Sequence, residues 1–165
     1  MTSEYLRGAV VEPIDRKRLK AARAFVQLTS NKAGAKVELD EENLYIKITP
    51  GLQTDVSAIL KLRDMARALT LENEDYVLAV IDLKEYVDKP NHLRRIKGRI
   101  IGEGGRARRT IEHLAGVFMV VGDRQVAILG KLEDVEIAKR AVEMLIEGKK
   151  HNTVYRYIQR ARQLQ

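Results

Sequence analysis

The chain has 165 residues, of which 45% are hydrophobic and 32% charged, and its formal net charge is +7. This length allows one compact domain or two small ones, and the hydrophobic content is sufficient for real cores. The absence of cysteine excludes disulfides, thiolate metal sites and a cysteine nucleophile. Neither an apolar run of about 18 residues nor a signal-peptide pattern occurs, so the expected location is the cytoplasm.

The first half predicts a strand, a long helical segment, a hairpin and a second helix. The strand covers residues 9–12 and the helical segment residues 15–29. Alternating apolar residues in 35–39 and 44–48 predict the two hairpin strands, and the periodicity of 54–69 predicts the closing helix.

The second half repeats this order about 82 residues later. It contains a predicted strand at 76–83, helical sequence over 92–115, hairpin strands at 117–121 and 125–129, and a helix at 133–147. Each half therefore predicts the order β-α-α-β-β-α, with the junction near 72–75. A last helix is expected to start with Thr153 as N-cap and to dock by Val154, Tyr157, Ile158 and Ala161.

Charge is concentrated in two segments. Residues 91–110 contain seven Lys or Arg and one Glu, whereas residues 148–165 contain five Lys or Arg and no acidic residue. The intervening segment and the first 90 residues are slightly acidic. Two separate basic segments favour a nucleic-acid-binding face over a diffuse attraction to membranes.

A glycine-rich loop, Gly102-Glu103-Gly104-Gly105, lies inside the first basic segment between two helical patterns. Glycine has no Cβ, so such a G-x-x-G loop can adopt positive φ and bring peptide N–H groups against a phosphodiester. A helix that begins directly after the loop adds free N–H donors and a positive dipole end. The alternative is an ordinary helix–helix turn surrounded by solvated arginines.

The order β-α-α-β-β-α with G-x-x-G between the paired helices is that of a type I K-homology (KH) domain, which clamps about four nucleotides of a single strand. The predicted fold class is thus α+β, with two tandem KH domains, each a three-stranded antiparallel sheet packed by three helices. The expected domains are 1–73 and 74–165. Residues 19–25 contain no glycine, and their Ala-rich sequence favours an unbroken helix. We therefore expect the first domain to be a degenerate KH domain, with Leu19, Ala22 and Val26 in its core.

The predicted RNA contacts divide by their chemistry. The three loop glycines admit the sugar-phosphate backbone, and the Glu103 side chain is expected to point away from it. Ile101, Ile111 and Val120 are candidates for an apolar groove floor, and Tyr155 for stacking on a base. The charges that position the strand come from both basic segments: Arg94, Arg95, Lys97, Arg99, Arg106, Arg108, Arg109, Lys149, Lys150, Arg156 and Arg160. The alternative for the tail is a solvated basic terminus.

Five short motifs resemble the archaeal members of the partner-of-Nob-one family. They are Gly98-Arg99-Ile100-Ile101-Gly102, Arg108-Arg109-Thr110-Ile111-Glu112, Val126-Ala127-Ile128-Leu129-Gly130, Glu136-Ile137-Ala138 and His151-Asn152-Thr153-Val154-Tyr155-Arg156. The resemblance is specific from about Tyr76 to Arg162 and loose before that. It implies tandem KH domains that bind single-stranded rRNA near the 3′ end of the small-subunit rRNA and assist pre-rRNA maturation in small ribosomal subunit biogenesis. It also implies two protein partners, a pre-rRNA endonuclease of the Nob-one type and the alpha subunit of translation initiation factor two.

The same residues bear on other candidate functions. A general KH-type RNA-binding scaffold in translation or RNA decay shares the loop, and a scaffold that binds only proteins remains open for the first half. An enzyme is disfavoured: residues 102–107 match the dinucleotide pattern G-x-G-x-x-A, with Asp123 21 residues beyond Gly102. A dinucleotide loop must follow a buried strand, however, and 93–101 is basic and helical. His92, His113 and His151 have no metal-ligand spacing, so no catalytic residue, cofactor or metal is predicted.

Overall fold

A computed structural model describes residues 9–29, 34–52, 56–70 and 76–165. The chain divides into two compact units, Met1–Glu74 and Asp75–Gln165. Both are α+β, each with a three-stranded antiparallel sheet and helices. The predicted junction at 72–75 and the predicted helix start at Thr54 lie outside the described residues. No helix within the described ranges combines the length and the apolarity needed to span a bilayer.

The first unit confirms the predicted order of strands and hairpin. Its elements are β1 (Val10–Pro13), α1 (Leu19–Thr29), β2 (Lys36–Asp40), β3 (Tyr45–Thr49) and α2 (Val56–Thr70). The hairpin places β3 in the centre of a sheet of order β1-β3-β2. Alternation along the strands turns Val37, Ile46 and Ile48 into the core, where Phe25 and Met65 from the helices are also buried.

The first unit differs from the expectation of three helices. Its described residues form two α-helices, and only a short 3-10 turn, Arg16–Arg18, precedes α1. Helix α1 runs unbroken because no glycine or proline interrupts it. Ala22 is buried in the core as predicted, whereas Leu19 and Val26 are only half-buried.

The second unit carries the predicted elements, including the docked last helix. They are β4 (Tyr76–Asp82), α3 (Pro90–Ile101), α4 (Arg106–Ala115), β5 (Phe118–Val121), β6 (Gln125–Lys131), α5 (Leu132–Ile146) and α6 (His151–Gln163). The sheet order is β4-β6-β5, so β6 is central and β5 lies at an edge. Met119, Val126 and Ile128 point from the sheet into a core that the helices complete.

Helix α6 is part of this core. Val154 and Ile158 are fully buried, and the helix packs against α4 and α5. The predicted N-cap at Thr153 is wrong, because the helix begins at His151 and the N-cap residue Lys150 makes no side-chain cap hydrogen bond. The helix thus begins three residues earlier than the capping pattern suggests, and the His151 side chain in its first turn is within hydrogen-bond distance of the Arg99 carbonyl.

Candidate nucleic-acid interface

The glycine loop joins α3 to α4 through an unusual backbone. Gly102, Gly104 and Gly105 have φ angles of 75°, 60° and 79°. A Cβ added at Gly102 would lie 2.6 Å from the backbone nitrogen of Ala107, whereas one added at Gly104 would meet nothing within 4 Å. Gly102 is therefore required by close packing, and Gly104 presents a bare backbone to open space.

The loop is held by its own hydrogen bonds. The Gly105 N–H donates to the Gly102 carbonyl at 3.1 Å, and the Arg109 guanidinium donates to the Gly104 carbonyl at 2.8 Å. Gly105 is the N-cap of α4 and provides no side-chain cap, and the first N–H of the helix, that of Arg106, donates to the Glu103 carbonyl. A preorganised loop next to a helix N-terminus suits an anionic backbone.

Four of the predicted cationic contacts on α3 and at the start of α4 have no protein partner in the described ranges. Arg94, Arg95 and Arg106 are exposed, and Lys97 is half-buried. Glu103 is also exposed. The positive charge near the loop is therefore available to an external anion.

Arg99 and Arg108, like Arg109, are bonded within the protein, whereas the other predicted charge contacts on the two helices have no protein partner in the described ranges. The Arg99 guanidinium donates to the Leu145 carbonyl at 3.2 Å and also to the Lys149 carbonyl, so it satisfies the C-terminal end of α5. Arg108 pairs with Glu112, four residues later on α4. The other Glu112 carboxylate oxygen accepts the Met119 N–H at 3.0 Å.

The Arg108–Glu112 pair closes the free side of an edge strand. Met119 lies in β5, whose second edge has no neighbouring strand among the described residues, and Glu112 accepts a hydrogen bond from one of its N–H groups. Glu112 is not among the predicted site residues. Its spacing of four residues from Arg108 on a helix is the sequence signal that could have indicated the pair.

The predicted apolar groove floor is only partly available. Ile111 is wrong as a candidate, because its position on α4 turns it fully into the core with 0% exposure. Ile101 is half-buried and packs against the same core. Val120 is half-buried and alternates with buried Met119 and Val121, so it lies on the opposite face of the sheet.

The basic tail meets both helices of the clamp. Near its start, His151 Nε2 lies 2.8 Å from the carbonyl oxygen of Arg99 in the last turn of α3. Near its end, Arg162 donates to the Ala115 carbonyl at the end of α4 and to Asp134 Oδ1 at 3.3 Å. Tyr155 is half-buried and packs against the His151 ring with a centroid distance of 6.1 Å. Lys149 and Lys150 are exposed just before this helix, beside the anchored Arg99.

Arg156 and Arg160 lie elsewhere on α6. They line a groove between α6 and the C-terminal part of α5, together with Met144, Tyr157, Ala161 and Leu164. They are not brought together with the glycine loop by any hydrogen bond or ion pair in the described part of the chain.

Comparison with known proteins supports a KH domain in the second unit. A model of the second KH domain of PNO1, described as a eukaryotic-type KH domain (KH-domain type I), matches residues 77–163. A KH domain-containing protein of Methanocaldococcus jannaschii is 41% identical over 140 residues, which is 79% of this chain and 62% of that protein. The pre-rRNA-processing protein PNO1 of Yarrowia lipolytica is 34% identical over 113 residues, 61% of this chain and 44% of that protein.

Two solved archaeal structures are also similar. A protein of unknown function from Aeropyrum pernix has a TM-score of 0.55 at 35% identity and covers 96% of this chain and 93% of its own. The complex of a/eIF2alpha, aDim2p and rRNA from Pyrococcus horikoshii has a TM-score of 0.53 at 29% identity, with 99% and 98% covered. The chain spans about two fifths to three fifths of the length of the curated relatives that it matches, but nearly the full length of these archaeal chains.

Proposed function

The chain belongs to the PNO1 family of type I KH-domain proteins, and from this membership we propose that it is a single-stranded RNA-binding protein of small ribosomal subunit biogenesis. It binds near the 3′ end of the small-subunit rRNA and assists pre-rRNA maturation. The observation that carries the proposal is the glycine loop with its bare backbone at Gly104, flanked by arginines that have no protein partner in the described ranges.

The roles of the residues follow from their chemistry. The backbone of residues 102–105 and the N-terminus of α4 receive the phosphates. Arg94, Arg95, Lys97 and Arg106 supply charge on the side of α3 and the loop, and Lys149 and Lys150 extend this charge from the tail. These contacts position the RNA strand, and the half-buried Ile101 is the remaining candidate for an apolar contact with the bases. Arg99, Arg108 and Arg109 act indirectly by holding the helices and the loop in place.

The first unit is proposed to be a degenerate KH domain, so that 1–73 and 74–165 form a tandem. Two observations support this. The hairpin places its second strand in the centre of the sheet in both units, giving the orders β1-β3-β2 and β4-β6-β5. The unbroken α1 also occupies the part of the chain where a KH domain carries its loop.

The proposed partners follow the family. A homologous Dim2p chain was crystallised with the alpha subunit of initiation factor two and rRNA, which supports both partners for this chain. A pre-rRNA endonuclease of the Nob-one type is proposed on the family resemblance alone. We also propose a non-enzymatic role: the loop follows helix α3 rather than a buried strand, so it lacks the structural context of a dinucleotide-binding loop. The proposed location is the cytoplasm.

The loop itself provides the test. Replacing Glu103 and Gly104 together with Asp adds a carboxylate at the bare backbone, and Asp tolerates the left-handed region. We expect about a tenfold or greater loss of affinity for a single-stranded oligonucleotide of the small-subunit rRNA 3′ region in a filter-binding assay. The circular dichroism spectrum is expected to be unchanged.

A matched control introduces the same charge change away from the loop. Gln163 is exposed at the end of α6, and its replacement by Glu adds one negative charge. It is expected to leave RNA affinity within about twofold at physiological salt, where surface charges are screened over about 8 Å. Equal affinities of the loop variant and this control, with both spectra preserved, would contradict the clamp.

A further inference from the structure

A shallow apolar groove lies between the C-terminal part of α5 and helix α6. Its lining includes Met144, Tyr157, Ala161 and Leu164, with Arg156 and Arg160 among them. Leu164 is 89% exposed, which is unusual for a large aliphatic side chain next to other apolar groups. The RNA-binding role proposed above does not use this groove.

The groove lies on a different side of α6 from the glycine loop. His151 and Arg162 bond to the ends of α3 and α4 and so mark the flank that faces the clamp helices. At roughly 100° per residue, Arg156 is about 140° from His151, and Arg160 is about 160° from Arg162. Arg156 and Arg160 therefore point away from the flank that meets the loop helices.

Charge in the groove is unbalanced. Arg156 and Arg160 are one helical turn apart, exposed, and without an acidic partner within the described ranges. Other arginines nearby are paired, such as Arg140 with Glu143 and Glu147, and Arg162 with Asp134. Two like charges at this spacing repel each other, so the pair does not stabilise the helix through a contact between the two side chains. An external acidic group would neutralise them.

We propose that this groove docks an acidic, amphipathic helical segment of a partner protein. An apolar side chain of that segment packs on Met144, Ala161 and Leu164, and its flanking carboxylates pair with Arg156 and Arg160. Methionine, tyrosine and arginine are the residue types enriched in protein–protein interfaces, and an amphipathic helix in a groove is a common mode of recognition. Phosphates would use the arginines but would leave the apolar lining uncovered, so a protein segment fits better than RNA.

The probe is a fluorescein-labelled peptide with leucines along one helical face and glutamates on both sides of it. Fluorescence anisotropy is measured with the full chain at physiological salt, and a peptide with lysine in place of glutamate serves as the reference. We expect saturable binding of the acidic peptide and no saturable binding of the lysine peptide. Two variants then test the two chemistries of the groove: Arg156→Glu with Arg160→Glu should weaken binding at least about tenfold, and Leu164→Ser should weaken it severalfold.

A matched charge reversal separates the groove from the RNA site. Arg94→Glu with Arg95→Glu changes the net charge by the same amount on helix α3. It should leave peptide binding unchanged and weaken binding of the single-stranded rRNA oligonucleotide, whereas the Arg156 and Arg160 double variant should do the reverse. All of these positions are exposed, and unchanged circular dichroism confirms that each variant is folded.

Four outcomes would overturn the proposal. The first is that the peptide shows no saturable binding, and the second is that the groove variants do not weaken its binding. The third is that the Arg156 and Arg160 variant loses as much RNA affinity as the Arg94 and Arg95 variant. The fourth is that the chain forms a concentration-dependent dimer that dissociates in the Leu164→Ser variant. The third outcome would assign the groove to RNA, and the fourth to a second copy of this chain. A failure of the RNA clamp alone would leave peptide binding intact, so the two proposals fail separately.

Discussion

At the scale of single residues, Gly102 and Gly104 have different structural roles in the glycine loop. Gly102 has φ 75° and ψ 172°, a region that only glycine adopts readily, and it packs against Ala107. Gly104 has φ 60° and ψ 22°, which other residues reach with moderate strain, and it faces open space. The first glycine thus shapes the loop, and the second leaves it accessible.

This difference predicts unequal effects of one added methyl group. Gly104→Ala should lower the free energy of unfolding by roughly 1–2 kcal/mol, the cost of a left-handed residue. Gly102→Ala should lower it by about 3 kcal/mol or more, since backbone strain and overpacking against Ala107 add together. Urea denaturation of the two variants measures both values. Equal losses would mean that the loop moves away from Ala107 and that Gly102 is not required by packing.

At the level of elements, α6 acts as a brace across the two helices that carry the loop. The last carbonyls of a helix have no partner inside it. His151 lies within hydrogen-bond distance of one such carbonyl on α3, and Arg162 donates to one at the end of α4. The tail therefore contributes to the geometry of the clamp through contacts with its helices, separately from any charge that it offers to RNA.

Arg162→Met tests the brace while it keeps the aliphatic part of the side chain. Loss of the charged hydrogen bonds to Ala115 and Asp134 should destabilise the protein by about 1.5–3 kcal/mol. Arg160→Met, which removes an arginine without a partner in the described part of the chain, should change stability by no more than about 0.5 kcal/mol. Thermal or urea unfolding compares the two.

Gly116→Ala provides an independent check on the same contact. A Cβ at Gly116 would lie 2.7 Å from Arg162 Nη1, and the φ of 71° adds strain. In the Arg162→Met background the clash is absent and only the backbone strain remains. Gly116→Ala should therefore lower the free energy of unfolding by less in that background than in the original chain. Additive effects in this double-mutant cycle would show that Arg162 does not occupy the position described.

At the scale of the whole molecule, the two units have the same strand order but differ in the features that can bind RNA. The second unit holds the glycine loop and both basic segments. In the first unit, α1 is unbroken and its single arginine, Arg23, is paired with Glu41. This pairing lowers the pKa of the Glu41 carboxyl through a hydrogen bond from Arg23, so both charges are engaged at neutral pH. The first unit thus offers phosphate less free charge and no bare backbone loop among its described residues.

The asymmetry predicts how two fragments will behave. A fragment of residues 75–165 should retain most of the affinity for a single-stranded rRNA oligonucleotide, and residues 1–74 should bind it poorly. Circular dichroism first establishes that each fragment is folded, and filter binding then compares them with the full chain. Comparable affinities of the two fragments would reveal an RNA surface in the first unit, for which Arg16, Lys17 and Lys20 are the exposed candidates.

The sequence by itself determined the elements and the position of the loop. Apolar spacing is a local property, so it located the strands, the hairpins and the helices of the second unit within a few residues, whereas the first unit has two described α-helices instead of the three expected. The glycines of the loop were equally visible, because positive φ is a requirement of the backbone at those residues. The fold class and the family followed from this order and from the motifs of the second half.

Tertiary structure decided which charged side chains are free. Arg99 and Arg162 bond to carbonyls 46 to 50 residues away, and no local pattern shows that these carbonyls lie within reach. The groove between α5 and α6 likewise exists only after α6 docks, so Arg156 and Arg160 looked equivalent to the arginines of α3. The sequence shows that a residue is basic, but the packing of distant backbone around it determines whether its charge is available to a ligand or bonds to the end of a helix.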